Sequence, residues 1–138
     1  MAATNKNIGS SLLKFTFSDD GEVLASFRMN PMDIKVAQRC QEVSEFFSEI
    51  SAVIPERGTI EDVVKFNDTV EEKICYLVGY DARPTLFGLI SGTSIMSDGR
   101  MFVAHIMDTI IAAVSVELAK RKQSMIRAAE KHTAKYKK

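Results

Sequence analysis

The sequence predicts a protein of the α+β class, mostly α, in which an N-terminal β-hairpin is followed by a small helical bundle with a long basic C-terminal helix. Three observations lead to this prediction. Apolar and polar residues alternate between Leu13 and Arg28, as they do in strands with one buried face. Later stretches repeat apolar residues every three or four positions, as helices on a core do. The last stretch, Arg100 to Lys138, contains neither glycine nor proline.

The length and composition fit one globular domain. The chain has 138 residues, of which 46% are hydrophobic and 26% are charged, and one domain commonly uses about 150 residues. We expect residues 1–11 to form a flexible lead, residues 12–118 a single globular domain, and residues 119–138 a basic helical extension. The first residues are small and polar, so the sequence predicts no secretory signal and reduced cysteines.

The hairpin is predicted over residues 12–28. Asp19-Asp20-Gly21 separates its strands, because glycine adopts the positive φ of a tight hairpin turn at little cost. Two strands alone are marginally stable in water, so helices or another copy of the chain should cover their apolar face. The side chains expected on that face are Leu13, Phe15, Phe17, Val23, Ala25 and Phe27.

The first helix is predicted over about residues 32–52. It follows Asn30-Pro31, and proline fits a first helical turn because the N–H that it lacks has no partner there. The apolar stripe expected to face the core comprises Val36, Cys40, Val43, Phe47 and Ile50.

The second helix is predicted over about residues 59–79. Thr59 is typical of an N-cap, and Gly79 is expected to end the helix in the left-handed conformation. Asn67-Asp68 weakens the helical pattern midway, so one helix and two shorter helices both remain open. The predicted apolar stripe comprises Ile60, Val63, Val64, Val70, Ile74, Leu77 and Val78.

The last helix is predicted over residues 100–118 and continues into the extension, after a short helix at Thr85–Ile90. An unbroken helix of about 37 residues would measure roughly 55 Å. A compact domain of this size has a diameter of only roughly 37 Å. The end of the helix must therefore overhang the domain, fray, or pack on another molecule.

Charge is distributed unevenly along the chain. Lys120 to Lys138 carries eight basic residues and one acidic residue, so its net charge is +7, while the remainder carries −7. A solvated helix end would explain this basic arm, and so would docking on an acidic partner or on the acidic body of a second copy. The residues predicted to bind a partner are Lys120, Arg121, Lys122, Arg127, Lys131 and Lys135.

No residue pattern points to catalysis, a cofactor or a metal. His105 and Asp108 are three residues apart, a common helix pair rather than a metal motif. Cys40 and Cys75 each lie in an apolar stripe, where cysteine usually packs as a small hydrophobe. Residues 91–94 lack the lysine of a phosphate-binding loop. We therefore predict no enzyme, and no catalytic, cofactor-binding or metal-binding residue.

The order of the elements resembles that of a known family. After the hairpin, the segment 27–33 opens a helix; Val70–Tyr80, a glycine-containing loop and a lysine-rich helix follow. This layout, over roughly Leu12 to Lys138, resembles the small tail assembly chaperones of long-tailed bacteriophages and prophages, especially those of Gram-positive hosts. The features that carry the resemblance are Asn30-Pro31, Gly79-Tyr80-Asp81 and Phe87-Gly88.

The resemblance implies a non-enzymatic protein that binds the tape measure protein, keeps it soluble and helps recruit tail tube subunits. It implies a homo-oligomer in the host cytoplasm that is absent from the mature virion. From the residues themselves, we expect no membrane partner and no nucleic-acid partner. The residues leave two alternatives open. One is a structural tail completion or connector protein, and the other is a small nucleic-acid-binding regulator that uses the basic arm.

Overall fold

A computed structural model of the chain describes residues 5–6, 8–9, 11–50 and 58–134. The protein is mostly helical (58%), with a two-stranded antiparallel hairpin before the helices. This architecture confirms the predicted fold class. The elements are β1 (Leu13–Asp19), β2 (Glu22–Met29), α1 (Ile34–Ser48), α2 (Ile60–Val78), α3 (Arg83–Leu86) and α4 (Phe102–Ala134).

A tight turn joins the two strands. Asp20 and Gly21 both have positive φ, 48° and 82°, which suits the right-handed twist of a hairpin. Along the strands Phe15 pairs with Phe27, and their rings stack with centroids 5.0 Å apart. The hairpin is therefore held by its turn and by an aromatic cross-strand pair.

A bulge near the turn corrects one part of the predicted apolar face. Phe17 pairs with Ala25, but the next residue, Ser18, pairs with Val23, so Leu24 is an extra residue in β2. One extra residue reverses the alternation of side chains beyond it. Val23 consequently lies on the polar face and is 55% exposed, whereas Leu24 is half-buried beside Phe17.

The core lies where β2 meets one face of α1, α2 and α4. Helix α3 packs against β2 beside it, so the second strand is covered more fully than the first. The largest fully buried side chains are Phe27, Met29, Ile74, Leu77, Leu86, Ile106, Ile110, Val43, Val70 and Val103.

Helix α1 begins at Ile34, about two residues later than predicted. Asp33 is its N-cap, and the carboxylate accepts a hydrogen bond from the backbone N–H of Lys35 at 2.9 Å. The predicted stripe is confirmed by the burial of Val36, Cys40 and Val43. The helix ends at Ser48, about four residues earlier than predicted, and residues 51–52 of the predicted helix lie outside the described residues.

Helix α2 is one continuous helix. Thr59 caps its N-terminus in a capping box with Asp62, in which each side chain bonds the other residue's backbone N–H at 3.2 Å. Gly79, with φ of 88°, ends the helix as predicted.

The burial of the α2 stripe is confirmed only in its C-terminal half. Val70 and Ile74 are fully buried, but Ile60, Val63 and Val64 are 84%, 52% and 51% exposed, contrary to the prediction. Tyr76 of α2 bonds Glu42 of α1, and Lys73, earlier on α2, lies over the ring of Phe46, later on α1. The two helices therefore run antiparallel, and the first turns of α2 extend past the end of α1.

The segment between α2 and α4 forms one helical turn instead of the helix predicted at Thr85–Ile90. Helix α3 ends at Leu86, with Pro84 in its first turn, where the missing N–H costs no hydrogen bond. The loop that follows is closed by a bridge between Ile95 and Met101.

Helix α4 begins at Phe102 and runs for 33 residues without a break, a length of about 50 Å. By length and composition, Phe102–Lys131 could cross a membrane: its most apolar 18-residue window has a mean hydropathy of 1.7, with 33% of that window buried. A core helix passes the same test, and the first half of α4 packs on protein: Phe102, Ile106 and Ile110 are buried in the core.

Candidate protein-binding surface

The two halves of α4 have different surroundings. In the first half the inward positions Ile106, Ile110 and Val114 are buried under the rest of the domain. In the second half the apolar side chains Leu118 and Met125 are 44% and 66% exposed. The helix therefore leaves the core after Val114 and continues toward solvent.

Contacts with the start of α1 hold the next two turns of α4. The guanidinium of Arg121 donates a hydrogen bond from Nη2 to the carbonyl oxygen of Met32. A mostly apolar groove of about 280 Å³ lies between the two elements. The residues that line it include Pro31, Met32, Ile34, Ala37, Leu118, Arg121 and Ser124. Ser124 is the last groove residue on α4, so we place the start of the overhang after it.

The structure separates the six predicted partner-binding residues into groups. Arg121 bonds Met32, and Lys120 lies 3.4 Å from the carboxylate of Glu117, one turn before it. Lys122, Arg127 and Lys131 are exposed and take part in none of the salt bridges found among the described residues. Lys135 lies outside the described residues. Three of the predicted cations are thus presented to solvent.

Two ridges run along α4. Ile111, Leu118 and Met125 are spaced seven residues apart and are all exposed, so they form an apolar ridge along one side of the helix. Lys120 and Arg127, also seven apart, form a basic ridge on another side, which Lys131 extends by a further turn. We call these the apolar ridge and the basic ridge.

An acidic cavity lies on the body of the protein, beneath the hairpin turn. It measures about 660 Å³, and its apolar wall includes Phe17, Leu24 and Phe102. Asp19, Asp98 and Asp108 are also among its lining residues. Of these lining residues, His105 lies beside Asp98, and Asp108 bonds Arg100 in the loop before α4.

Two side-chain pairs connect the loop before α4 to the helix. Arg100 Nη1 donates to Asp108 Oδ2 at 2.7 Å, and His105 Nε2 lies 2.9 Å from Asp98 Oδ2 without the alignment of a hydrogen bond. The spacing of His105 and Asp108 suggested a helix pair, but each side chain has a different partner.

These contacts shift the acidity of both carboxyl groups. The backbone N–H of Arg100, and then the neighbouring His105, hold the pKa of Asp98 below its usual value. The hydrogen bond from the guanidinium of Arg100 lowers the pKa of Asp108 in the same way.

The two thiols occupy different environments. Cys40 is 6% exposed, and burial raises the pKa of its thiol, which disfavours the nucleophilic thiolate. Cys75 is half-buried, with Sγ 3.9 Å from Asp81 Oδ1. Across the described part of the chain, no three or more His, Cys, Asp and Glu side chains are grouped to hold a metal ion.

One polar cluster was not anticipated from the sequence. Glu71 is only 8% exposed, and its Oε2 accepts hydrogen bonds from Asn67 Nδ2 and from the backbone N–H of Gly92, both at 2.9 Å. Asn67 Oδ1 in turn accepts from the backbone N–H of Thr93 at 3.0 Å. The signal in the sequence is a charged residue between Val70 and Ile74, inside the apolar stripe of α2.

Comparisons of the chain with protein families, with curated proteins and with solved structures find no match.

Proposed function

We propose that the protein is a non-enzymatic tail assembly chaperone of a long-tailed phage or prophage. In this proposal the distal half of α4 binds the tape measure protein, keeps it soluble and helps recruit tail tube subunits. The observation that carries the proposal is the course of α4, which continues to Ala134 past its contacts with α1 and presents both ridges to solvent.

The apolar ridge supports binding of an amphipathic client helix. Covering an exposed leucine or methionine side chain stabilises a complex by about 1.5–3 kcal/mol when burial is complete. Leu118 and Met125 together therefore offer a modest gain per copy. Modest affinity at each copy suits a protein that coats a long client and is later displaced from it.

The basic ridge supports selection of the client by charge. Exposed cations opposite acidic residues accelerate association and fix its orientation more than they add affinity. Arg127 and Lys131 are suited to this task because they are exposed and lie beyond the groove with α1.

Co-expression with the tape measure and tail tube proteins encoded beside the gene tests the proposal. We expect the affinity-tagged chain to retain the tape measure protein and raise its soluble fraction. The double variant Arg127→Glu/Lys131→Glu should lose most of this retention. The matched control, Lys35→Glu/Lys65→Glu, changes the net charge equally on α1 and α2 and should retain the client.

Two results would contradict the proposal. In the first, the unaltered chain retains neither client and leaves tape measure solubility unchanged. In the second, the distal variant and its control retain the client equally well. Detection of the protein in purified particles would favour a structural tail component, and salt-sensitive DNA binding would favour a regulator.

A further inference from the structure

The two outer edges of the hairpin differ in their covering. β2 contacts α2 and α3, and at its outer edge Tyr80 Oη accepts a hydrogen bond from the backbone N–H of Arg28 at 2.8 Å. Among the described elements, β1 pairs with β2, and the ring of Phe17 contacts that of Phe102 at the start of α4. Within the part of the chain that the structure describes, the outer edge of β1 is therefore open.

The bond to Tyr80 also establishes which backbone groups point outward. Arg28 directs its N–H away from β1, and Lys14 is its cross-strand partner. In an antiparallel pair, opposite residues direct their N–H and C=O groups either both inward or both outward, in alternation along the strand. Lys14 and, two residues further, Thr16 therefore present outward backbone groups with which no described residue pairs.

The apolar face of the hairpin is incomplete on the same side. Under β2, Phe27 and Met29 are 1% and 0% exposed. Under β1, Leu13 is 49% exposed, and Phe15 and Phe17 are only half-buried. A further strand with apolar residues beside β1 would cover this face as well as the backbone groups.

The charges of the hairpin indicate which strand is suited to pair with the open edge of β1. Lys14 lies directly opposite Arg28, and Asp19 lies directly opposite Glu22, with Asp20 in the turn. Like charges placed directly opposite each other are unfavourable. The hairpin thus has a basic end and an acidic end, and an antiparallel copy of the same hairpin places opposite charges side by side.

We propose that two copies of this chain associate through antiparallel pairing of their β1 edges, with the twofold axis at Thr16. Thr16 then lies opposite the partner's Thr16, and Lys14 lies opposite the partner's Ser18 and diagonal to the partner's Asp20. In this register, each β1 residue whose backbone N–H and C=O point outward lies opposite a partner residue whose backbone groups also point outward. The product is a four-stranded sheet with a continuous row of phenylalanines, at a surface separate from the ridges of α4.

Disulfide trapping tests the register directly, in a Cys75→Ser background that leaves only the buried Cys40. Directly opposite residues of a hydrogen-bonded pair have Cα atoms about 5.5 Å apart, within the range of a disulfide. Thr16→Cys should therefore form a covalent dimer under mild oxidation. Lys14→Cys alone should not form a covalent dimer. In this register the two copies of residue 14 are four residues apart along the strands, or about 13 Å.

Mixing the Lys14→Cys and Ser18→Cys proteins should restore crosslinking, because these positions face each other. Failure of Thr16→Cys to crosslink, or efficient crosslinking of Lys14→Cys alone, would overturn the proposed register.

Sedimentation equilibrium tests the edge itself. The unaltered chain should approach twice its 15.3 kDa mass as concentration rises. Thr16→Pro should be monomeric, because it removes an outward N–H that the hairpin does not use, and proline is tolerated at strand edges. Thr16→Ala keeps the N–H and should still dimerise.

Circular dichroism establishes whether each variant is folded. If Thr16→Pro is unfolded, the crosslinking of the cysteine variants tests the proposed pairing by itself. A monomeric unaltered chain, or a folded Thr16→Pro dimer, would contradict the proposal. Occupation of the edge by a tail tube strand in place of a second copy would also contradict it. Client retention by the α4 variants is measured separately, so either proposal can fail without the other.

Discussion

Glu71, on the buried face of α2, accepts a hydrogen bond from the backbone N–H of Gly92 at 2.9 Å. The carbonyl oxygen of Gly92 accepts in turn from the backbone N–H of Val103, in the first turn of α4. A single carboxylate thus links α2, through one loop residue, to the start of the helix that carries the proposed binding surface.

Removal of this carboxylate should destabilise the protein. Glu71→Ala leaves the buried Gly92 N–H without its acceptor, which costs about 1–3 kcal/mol of unfolding free energy. Glu71→Gln keeps one oxygen acceptor and should cost less. Urea unfolding measures both, with Glu72→Ala as the control because that side chain is 71% exposed. Equal effects of Glu71→Ala and Glu72→Ala would show that the link contributes nothing.

Acid should weaken the junction between the loop and α4. The pKa values of Asp98 and Asp108 are lower in the folded protein than in the unfolded chain, where the value is about 3.9. The unfolded state therefore binds more protons as the pH falls. The stabilisation of the folded protein by these two carboxylates is complete above about pH 4. It is lost as the pH falls through their lowered pKa values.

Asp108→Asn tests this pH dependence. It should lower the unfolding free energy at neutral pH, because the ion pair with Arg100 is lost. The difference from the unaltered chain should shrink below about pH 4, because Asp108 becomes protonated first in the unfolded chain and then, at its lowered pKa, in the folded protein. High salt should also shrink it, because the pair is exposed to solvent. A difference that is constant from pH 7 to pH 3 would contradict the assigned pKa direction.

The sequence predicted the elements whose signals are local. Thr59 and Gly79 mark the ends of α2 because capping depends on a few neighbouring residues. The exposure of Ile60 could not be predicted in this way, since it depends on how far α1 extends beside α2. Apolar periodicity identifies a helix but does not say where its neighbour ends.

Two details depended on contacts between distant residues. The bulge at Leu24 decides which of two adjacent apolar residues faces the core, and only the pairing register with β1 reveals it. The bond from Arg121 to Met32 spans 89 residues. The basic composition of the arm was evident from the sequence, but its separation into anchored and exposed cations was not.

Tyr80→Phe should loosen the covered edge of the hairpin. It removes the hydroxyl that accepts from the backbone N–H of Arg28, so hydrogen exchange at that amide should become faster. The unfolding free energy should fall by about 0.5–1.5 kcal/mol. Tyr76→Phe is the matched control, because Tyr76 bonds Glu42 and leaves the hairpin unaltered. Unchanged exchange at Arg28 would mean that its N–H does not point toward Tyr80.

Arg121→Ala should release the distal half of α4 from the start of α1. The guanidinium bond to Met32 and the groove contact are lost together. Global stability should fall by no more than about 1 kcal/mol, because the bond is exposed to water. Amide exchange should accelerate from residue 119 onward, where no core contact replaces the bond.

Lys122→Ala is the control for Arg121→Ala, since the neighbouring Lys122 is exposed and contacts neither Met32 nor the groove. It should leave the exchange rates of α4 unchanged. If the amides of α4 exchange at the same rates in both variants, only the backbone hydrogen bonds of the helix hold its distal half. In that case the anchored turns would not determine where the exposed ridges begin.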